Sequence, residues 1–384
     1  MRKIGCIVIV LCILLSAVPV SAAPMGPTVA GKSALLMDAA TGRVLLEQNP
    51  HEKLAPASVT KVMTMLLIME AIDTGKISWN DTVTASEAAA AKGGSQVYLK
   101  VGETMSVTDM LKSIAVSSAN DCACAMAEFI AGSEAAFVEL MNRRAEELGM
   151  KDTHFVNCTG LDDSDDAKAH RTSAHDIAVM SRQLLKYHPD IKKFTTIWMD
   201  SVRDGAFGLS NTNKLIRFYD GATGLKTGFT SGAGYCLSAS AARDGMELIA
   251  VVMGAEDSKV RFNACKTMLD HGFANYAVIT PDLCDAGAVP VVLGKTASVQ
   301  PRMAEAPEIL IDKAQKGSVS TDIQLEPELP APVSQGQRLG TMTVRSGEQI
   351  LREIPLVAAE AVERLGFGDI CKALLARCTM TQTI

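Results

Sequence analysis

Two residues three positions apart, Ser58 and Lys61, are the first whose types and spacing suit chemistry. They lie in Leu54–Met69, LAPASVTKVMTMLLIM, sixteen residues in which Lys61 is the one charge. Read as a helix, with Pro56 in a first turn that accepts proline, the i,i+3 spacing puts hydroxyl and amine one turn apart. Among Val59, Val62, Met63, Leu66 and Leu67 the lysine loses hydration, which favours its neutral amine. A neutral amine beside a hydroxyl is a base beside a nucleophile. The nearby helix N-terminus favours a developing anion. The same stretch also fits a core helix whose lysine snorkels to water and whose serine only caps. Taken alone, S-x-x-K does not decide between them.

Two more short motifs follow, Ser118-Ala-Asn120 and Lys226-Thr-Gly228. Each is near noise by itself. Together and in this order they form the signature set of penicillin-binding proteins and serine β-lactamases. Acyl transfer to Ser58 needs a base for its proton, and Lys61 is one turn away. Ser118, wedged between the two lysines, can relay a proton to the leaving amine. Asn120 offers an amide to grip a substrate's peptide groups or to hold Lys61 in place. Lys226 and the Thr227 hydroxyl, on a strand edge, suit a terminal carboxylate. Gly228 lets a ligand backbone approach the strand. The backbone N–H groups of Ser58 and Phe229 are the candidate oxyanion hole.

Elements to position these groups are legible around them. Ser33–Asp38 and Arg43–Glu47 form a hairpin about Ala39–Gly42. Lys92–Val101 reads as a glycine-punctuated loop with a short extended piece. Val107–Ala131 is helical on both sides of a break at Ser117–Asp121. Glu134–Leu148 is an amphipathic helix closed by Gly149, and Thr172–Lys186 is another. Tyr235–Ala242 and Met246–Met253 are strands joined at Asp244-Gly245, a strong hairpin signal, before a closing helix over Ser258–Tyr276. The fold class is therefore α+β, with one antiparallel sheet drawn from both ends of the unit and flanked by helices. Beyond Thr280 helical periodicity gives way to Val289–Leu293, Ile309–Asp312, Val319–Leu325, Leu339–Val344 and Ile350–Val357, a small all-β sandwich. Phe367, Ile370, Cys371, Leu374, Leu375 and Cys378 then make one apolar helical stripe. It fits a membrane surface or packing against the β unit equally well. The expected divisions are 1–23, 24–278, 279–357 and 358–384.

The totals narrow the class. The chain has 384 residues, a formal net charge of −6 and no dense basic block, which argues against nucleic acid. Arg2 and Lys3, the apolar run Ile4–Val18 and the small Ser21-Ala22-Ala23 read as a secretory signal. A retained membrane anchor is the less favoured alternative. The protein is thus expected to be exported to the cell envelope. The acidic loop Asp162, Asp163, Asp165 and Asp166 lacks the glycine and glutamate of a calcium loop and reads as solvated surface. No metal or cofactor is expected. The mature chain's eight cysteines read as small buried hydrophobes rather than a disulfide framework.

From about Ala30 to Val357 the chain resembles the D-alanyl-D-alanine carboxypeptidases among the low-molecular-mass penicillin-binding proteins. The likeness rests on Ala57-Ser-Val-Thr-Lys-Val-Met-Thr64, Val116-Ser-Ser-Ala-Asn-Asp121, Asn211-Thr-Asn213 and Gly221-Ala-Thr-Gly-Leu-Lys-Thr-Gly228. Gly234-Tyr-Cys-Leu237 and Val251-Val-Met-Gly254 add to it. The resemblance implies a β-lactamase/transpeptidase-like catalytic domain, a C-terminal β-sandwich and often an amphipathic membrane anchor. It also implies removal of the terminal D-alanine from peptidoglycan stem pentapeptides through a serine acyl-enzyme, with β-lactams acylating the same serine. Two departures stand out: Phe229 where some members carry histidine, and a tail poor in aromatic residues. A class A β-lactamase shares the motifs but uses a glutamate between the second and third to activate water. Leu148–Met246 contains no glutamate. A non-catalytic wall-binding scaffold is the other alternative, against which the intact motifs argue.

Overall fold

Ser33–Asp38 (β1) and Val44–Gln48 (β2) form the expected hairpin, with Gly42 at positive φ in its turn. In this computed structural model, which describes residues 26–378 apart from Ser164, Cys284, Asp285 and Ala306, the expected signal segment lies outside the described residues. Every residue of β1 is buried. Leu35 and Met37 enter one apolar cluster and Ala34 and Leu36 another, as a period of two dictates for a strand covered on both faces. Ala222–Thr230 (β3), Gly234–Arg243 (β4) and Met246–Ala255 (β5) complete an antiparallel sheet ordered β2-β1-β5-β4-β3. Asp244 and Gly245 both have positive φ, which the two-residue β4–β5 turn requires. The sheet is closed across the chain, β1 pairing with β5 from Ser33↔Met253 to Asp38↔Leu248.

The Leu54–Met69 stretch differs from its expected form. Leu54 instead bridges Thr172 in extended pairing. Pro56 precedes a 3-10 turn over Ala57–Thr60, and the α-helix α1 runs Lys61–Asp73. Pro56 has no N–H to continue a ladder, and Ala57 sits at φ 48°. In a 3-10 turn residues i and i+3 eclipse, so Ser58 and Lys61 are brought more directly together than on an α-helix. Nearly all of α1 is buried, Lys61 through Leu66 without a break. Its lysine therefore cannot snorkel.

Around α1 pack Val107–Ser117 (α2), Asn120–Ala131 (α3), Glu134–Glu147 (α4) and Ala174–Tyr187 (α5). Ser106, Ser133 and Ser173 cap α2, α4 and α5 through their side chains. Ser258–Asn275 (α6) covers the other face of the sheet. Lys92–Val101 forms neither helix nor strand, as its glycine-punctuated pattern leads one to expect.

Strand Tyr276–Ile279 follows α6 directly and pairs with Ile309–Asp312, so it spans the expected 278/279 division. Beyond it, Val319–Leu325, Arg338–Ser346 and Gln349–Ala358 form most of a four-stranded sheet, and Val289–Val292 centres a three-stranded one. Two separate apolar clusters fill this all-β region. The last helix, Phe367–Cys378 (α7), keeps Phe367, Leu374 and Leu375 exposed. Among the described residues no helix is long and apolar enough to cross a membrane.

Candidate active site

The 3-10 turn that carries Ser58 packs against β3 at Gly228, while Asn120 and Leu161 both border Gly94, next to the Gly160 that abuts Ala57. Lys61 Nζ lies 2.9 Å from Ser58 Oγ and donates to the Thr159 carbonyl at 2.8 Å. With no side-chain exposure, burial brings the Lys61 ammonium from 10.5 down to about 7. The amine is thus available in neutral form near neutral pH, beside a hydroxyl it can deprotonate.

Ser118 ends α2 in the left-handed conformation, φ 65°, which turns the chain sharply between α2 and α3. Its Oγ is buried without a hydrogen-bond partner, while Lys61 donates to the Thr159 carbonyl and Lys226 to the Thr227 carbonyl. Asn120 holds a different partner from one expected: Nδ2 donates to Gly93 O at 2.7 Å, while Lys61 is fixed by Thr159. The Asn120 Oδ1 acceptor is buried without a protein partner. Neighbouring Asp121, fully buried, accepts from the N–H groups of Val97 and Leu99 and so pins the 93–101 loop against this corner.

Across the cleft, Lys226 is buried and its ammonium is pushed well below its ordinary value by burial, Lys61 and Arg261. A carboxylate entering beside Lys226 would favour the charged form of that amine. Thr227 Oγ1 donates to Thr212 Oγ1 at 2.7 Å, and Arg261 Nη1 donates to Gly228 O at 2.8 Å. Gly228 has a packing reason beside the expected one. A Cβ there would lie 2.6 Å from Pro56 O and 3.1 Å from the nitrogens of Ser58 and Val59. Its missing side chain admits the nucleophile's own backbone, bringing β3 against the Ser58 N–H. Phe229, the other expected oxyanion donor, stands next on that strand. Its half-exposed ring stacks on Tyr235 at 4.3 Å, adding apolar wall.

Several supporting groups carry no motif of their own. Gly160, φ 82°, lies so close to the 3-10 turn that a Cβ would overlap Ala57 O. Asn157 Oδ1 accepts from Thr159 N and Gly160 N, shaping the segment that presents the Thr159 carbonyl. Glu134 accepts from Cys158 N at 3.2 Å and from Lys92 at 2.6 Å, anchoring the same segment. His170 Nδ1 accepts from Val156 N–H, so in the neutral ring the proton is on Nε2, which donates to Thr60 Oγ1 at 2.8 Å. Thr60 Oγ1 in turn donates to Ala57 O at 2.8 Å. Burial, with His154 and Arg171 nearby, lowers His170 from 6.5 to about 4. Between those values the unfolded chain binds the proton and the folded one does not. Stability is therefore expected to fall as pH drops from 6.5 toward 4. His170→Gln, which can still donate to Thr60, should flatten that slope in thermal melts across pH 4–7.

The sequence pattern described as D-alanyl-D-alanine carboxypeptidase matches residues 20–257. The chain belongs to the D-alanyl-D-alanine carboxypeptidase family. A second pattern, the C-terminal domain of penicillin-binding protein 5, matches residues 282–364. The D-alanyl-D-alanine carboxypeptidase DacF of Bacillus subtilis is 45% identical over 354 residues, covering 91% of this chain and 90% of its own. The Escherichia coli carboxypeptidase DacC is 35% identical, covering 89% and 86%. Among solved structures, penicillin-binding protein 5 from Haemophilus influenzae matches with a TM-score of 0.73 at 30% identity, over 88% of this chain and 99% of its own. Penicillin-binding protein D2 from Listeria monocytogenes, solved in an ampicillin-bound form, matches with a TM-score of 0.56 at 31% identity, over 64% and 100%. The expected α+β class, with a β domain following the carboxypeptidase domain, agrees with these family members.

Proposed function

We propose that the protein is a serine-type D-Ala-D-Ala carboxypeptidase acting on peptidoglycan stem pentapeptides, with Ser58 as the acylated residue. The observation that carries this is the buried Lys61 amine 2.9 Å from Ser58 Oγ, opposite a strand whose Lys226 and Thr227 suit a carboxylate. In this scheme Lys61 takes the Ser58 proton as Oγ attacks the carbonyl of the penultimate D-alanine. The N–H groups of Ser58 and Phe229 receive the oxyanion. Asn120 grips the substrate's peptide groups, and Ser118 relays the proton to the departing D-alanine. Lys226 and Thr227 hold its carboxylate, while Gly228 lets β3 and the nucleophile meet. Water then releases the shortened peptide. A β-lactam acylates the same oxygen.

Wild type should release D-alanine from a diacyl-Lys-D-Ala-D-Ala peptide and be labelled covalently by a fluorescent penicillin, whereas Ser58→Ala should do neither. Labelling of both proteins would sink the nucleophile assignment. Prompt turnover of penicillin without D-alanine release would favour a lactamase.

The division that suits this activity is catalysis in 24–278, a β unit in 279–357 and a terminal amphipathic segment in 358–384. The exposed Phe367, Leu374 and Leu375 on α7 support peripheral attachment at the outer face of the cytoplasmic membrane, after export directed by residues 1–23. Chain 24–384 should co-sediment with anionic phospholipid vesicles and chain 24–365 should not; equal sedimentation removes the helix from that role.

A further inference from the structure

Strand β3 is the last of its sheet, bonded to β4 on one side only. Arg261, in the first turn of α6, places Nη1 2.8 Å from the Gly228 carbonyl and 3.2 Å from the Cys236 carbonyl. Cys236 stands directly opposite Gly228 on β4. A donor that reaches both oxygens lies on the β4 side, so the Gly228 carbonyl points that way. The Gly228–Phe229 peptide unit is trans, and a trans unit directs its C=O and N–H to opposite sides. The Phe229 N–H therefore points toward the free edge of the sheet.

Arg261 is a costly residue to bury. It is 7% exposed, its Nε has no hydrogen-bond partner, and it forms no ion pair among the described residues. The rings of Tyr235 and Phe262 lie 5.2 and 4.9 Å from the guanidinium carbon, a favourable setting for a cation. A buried charge without a counter-ion nevertheless costs folding free energy. Tying two strands that are already paired in register needs only a neutral donor. A fixed cation has a further use where negative charge appears later. Drawing electron density toward the Gly228 oxygen makes the N–H at the other end of the same peptide unit a stronger donor. The phenyl ring at position 229 has no polar atom to add.

We propose that Arg261 is a positioning residue for acyl transfer, acting through the Gly228–Phe229 peptide to aim and polarise the Phe229 N–H toward the oxyanion formed when Ser58 attacks. The inference rests on the carboxypeptidase reading above. The guanidinium acts through one peptide unit and not by touching the substrate. Its effect grows as negative charge develops, so it favours the transition state over the bound substrate.

The test compares Arg261→Lys, Arg261→Gln and Arg261→Met. Lysine keeps the charge, glutamine keeps a neutral donor, and methionine keeps neither. In stopped-flow acylation by benzylpenicillin, the Gln and Met variants should lose about tenfold or more in limiting rate, with the preceding binding constant within about twofold of wild type. Arg261→Lys should recover most of that loss. The second readout is the infrared stretch of the acyl-ester carbonyl, isotope-edited at the β-lactam carbonyl. Weaker donation from the Phe229 N–H should raise its frequency in Gln and Met and leave it near the wild-type value in Lys. Acylation by Gln and Met within about twofold of wild type overturns the proposal. A loss common to all three variants with the ester frequency unmoved also overturns it, because it marks a structural tie. If Arg261→Met does not fold, the Lys and Gln variants decide alone, and equal rates for the two are the overturning result. Wild-type protein that is neither acylated by benzylpenicillin nor able to release D-alanine defeats the carboxypeptidase reading itself. Acylation at one rate across wild type and variants defeats the role of Arg261 alone.

Discussion

Lys61→Arg should cut acylation by benzylpenicillin by about 10²–10⁴-fold, the usual contribution of a positioned base. Arginine keeps the charge but does not shed its proton near neutral pH. In the wild type the rate should rise with pH through about 7, where the buried amine becomes neutral. The same burial affects stability in the opposite sense to activity. Holding Lys61 in charged form below pH 7 costs roughly 5 kcal/mol, from a fall of 10.5 to about 7. Between about 7 and 10.5 the unfolded chain binds the proton that the folded chain has lost, so this cost declines as pH rises. Lys61→Met should therefore be inactive yet more stable at pH 6, by about 2 kcal/mol after the lost hydrogen bonds to Ser58 and Thr159 are counted. Stopped-flow acylation and thermal melts of the same variants check both halves. Undiminished acylation in Lys61→Arg would assign the proton to another group.

Gly160→Ala is the second large effect. The added Cβ would overlap the Ala57 carbonyl, at a φ of 82° that alanine resists. The neighbour is backbone, not the end of a flexible side chain, so either the 3-10 turn or the 157–160 segment must move. Both carry partners of the reacting pair: Ser58 sits on the turn, and Thr159 O holds Lys61. A destabilisation of about 3 kcal/mol or more is expected. Acylation should fall by about 100-fold, as follows from an ångström-scale misplacement. Gly149→Ala is the control, because no atom lies within 4 Å of its added Cβ although φ is also positive. Equal behaviour of the two variants would show that φ alone, and not the contact with the nucleophile turn, sets the cost.

Much of the site was legible because its motifs are short and contiguous. Ser58 and Lys61 share one turn, Ser118 and Asn120 one corner, and Lys226 through Phe229 one strand. The hairpin at Asp244-Gly245 and the continuous apolar strands were legible from local pattern. What escaped acts through backbone atoms brought from afar. Thr159 contributes a carbonyl, Gly160 an absent side chain, and Asp121 a carboxylate turned onto loop N–H groups. His170 looked like one of six scattered histidines until folding placed it on Thr60. The contact of Gly228 with the nucleophile segment escaped for the same reason, since that neighbour is distant in sequence. The 3-10 start of the Ser58 turn was also hidden. It comes just after a bridge between Leu54 and Thr172, more than a hundred residues apart.

The pairing of β1 with β5 bears on when the protein becomes reactive during its own synthesis. Ser33–Asp38 finds its partner only at Leu248–Met253, and β3 closes over the nucleophile only once residue 228 is available. A growing chain that ends before those strands already contains Ser58 and Lys61. It lacks the enclosure that strips water from the amine, so its lysine titrates as an ordinary solvated side chain and its serine as an ordinary alcohol. Reactivity thus arrives late, with long-range closure of the sheet. An unfinished chain is in effect kept silent by missing tertiary structure.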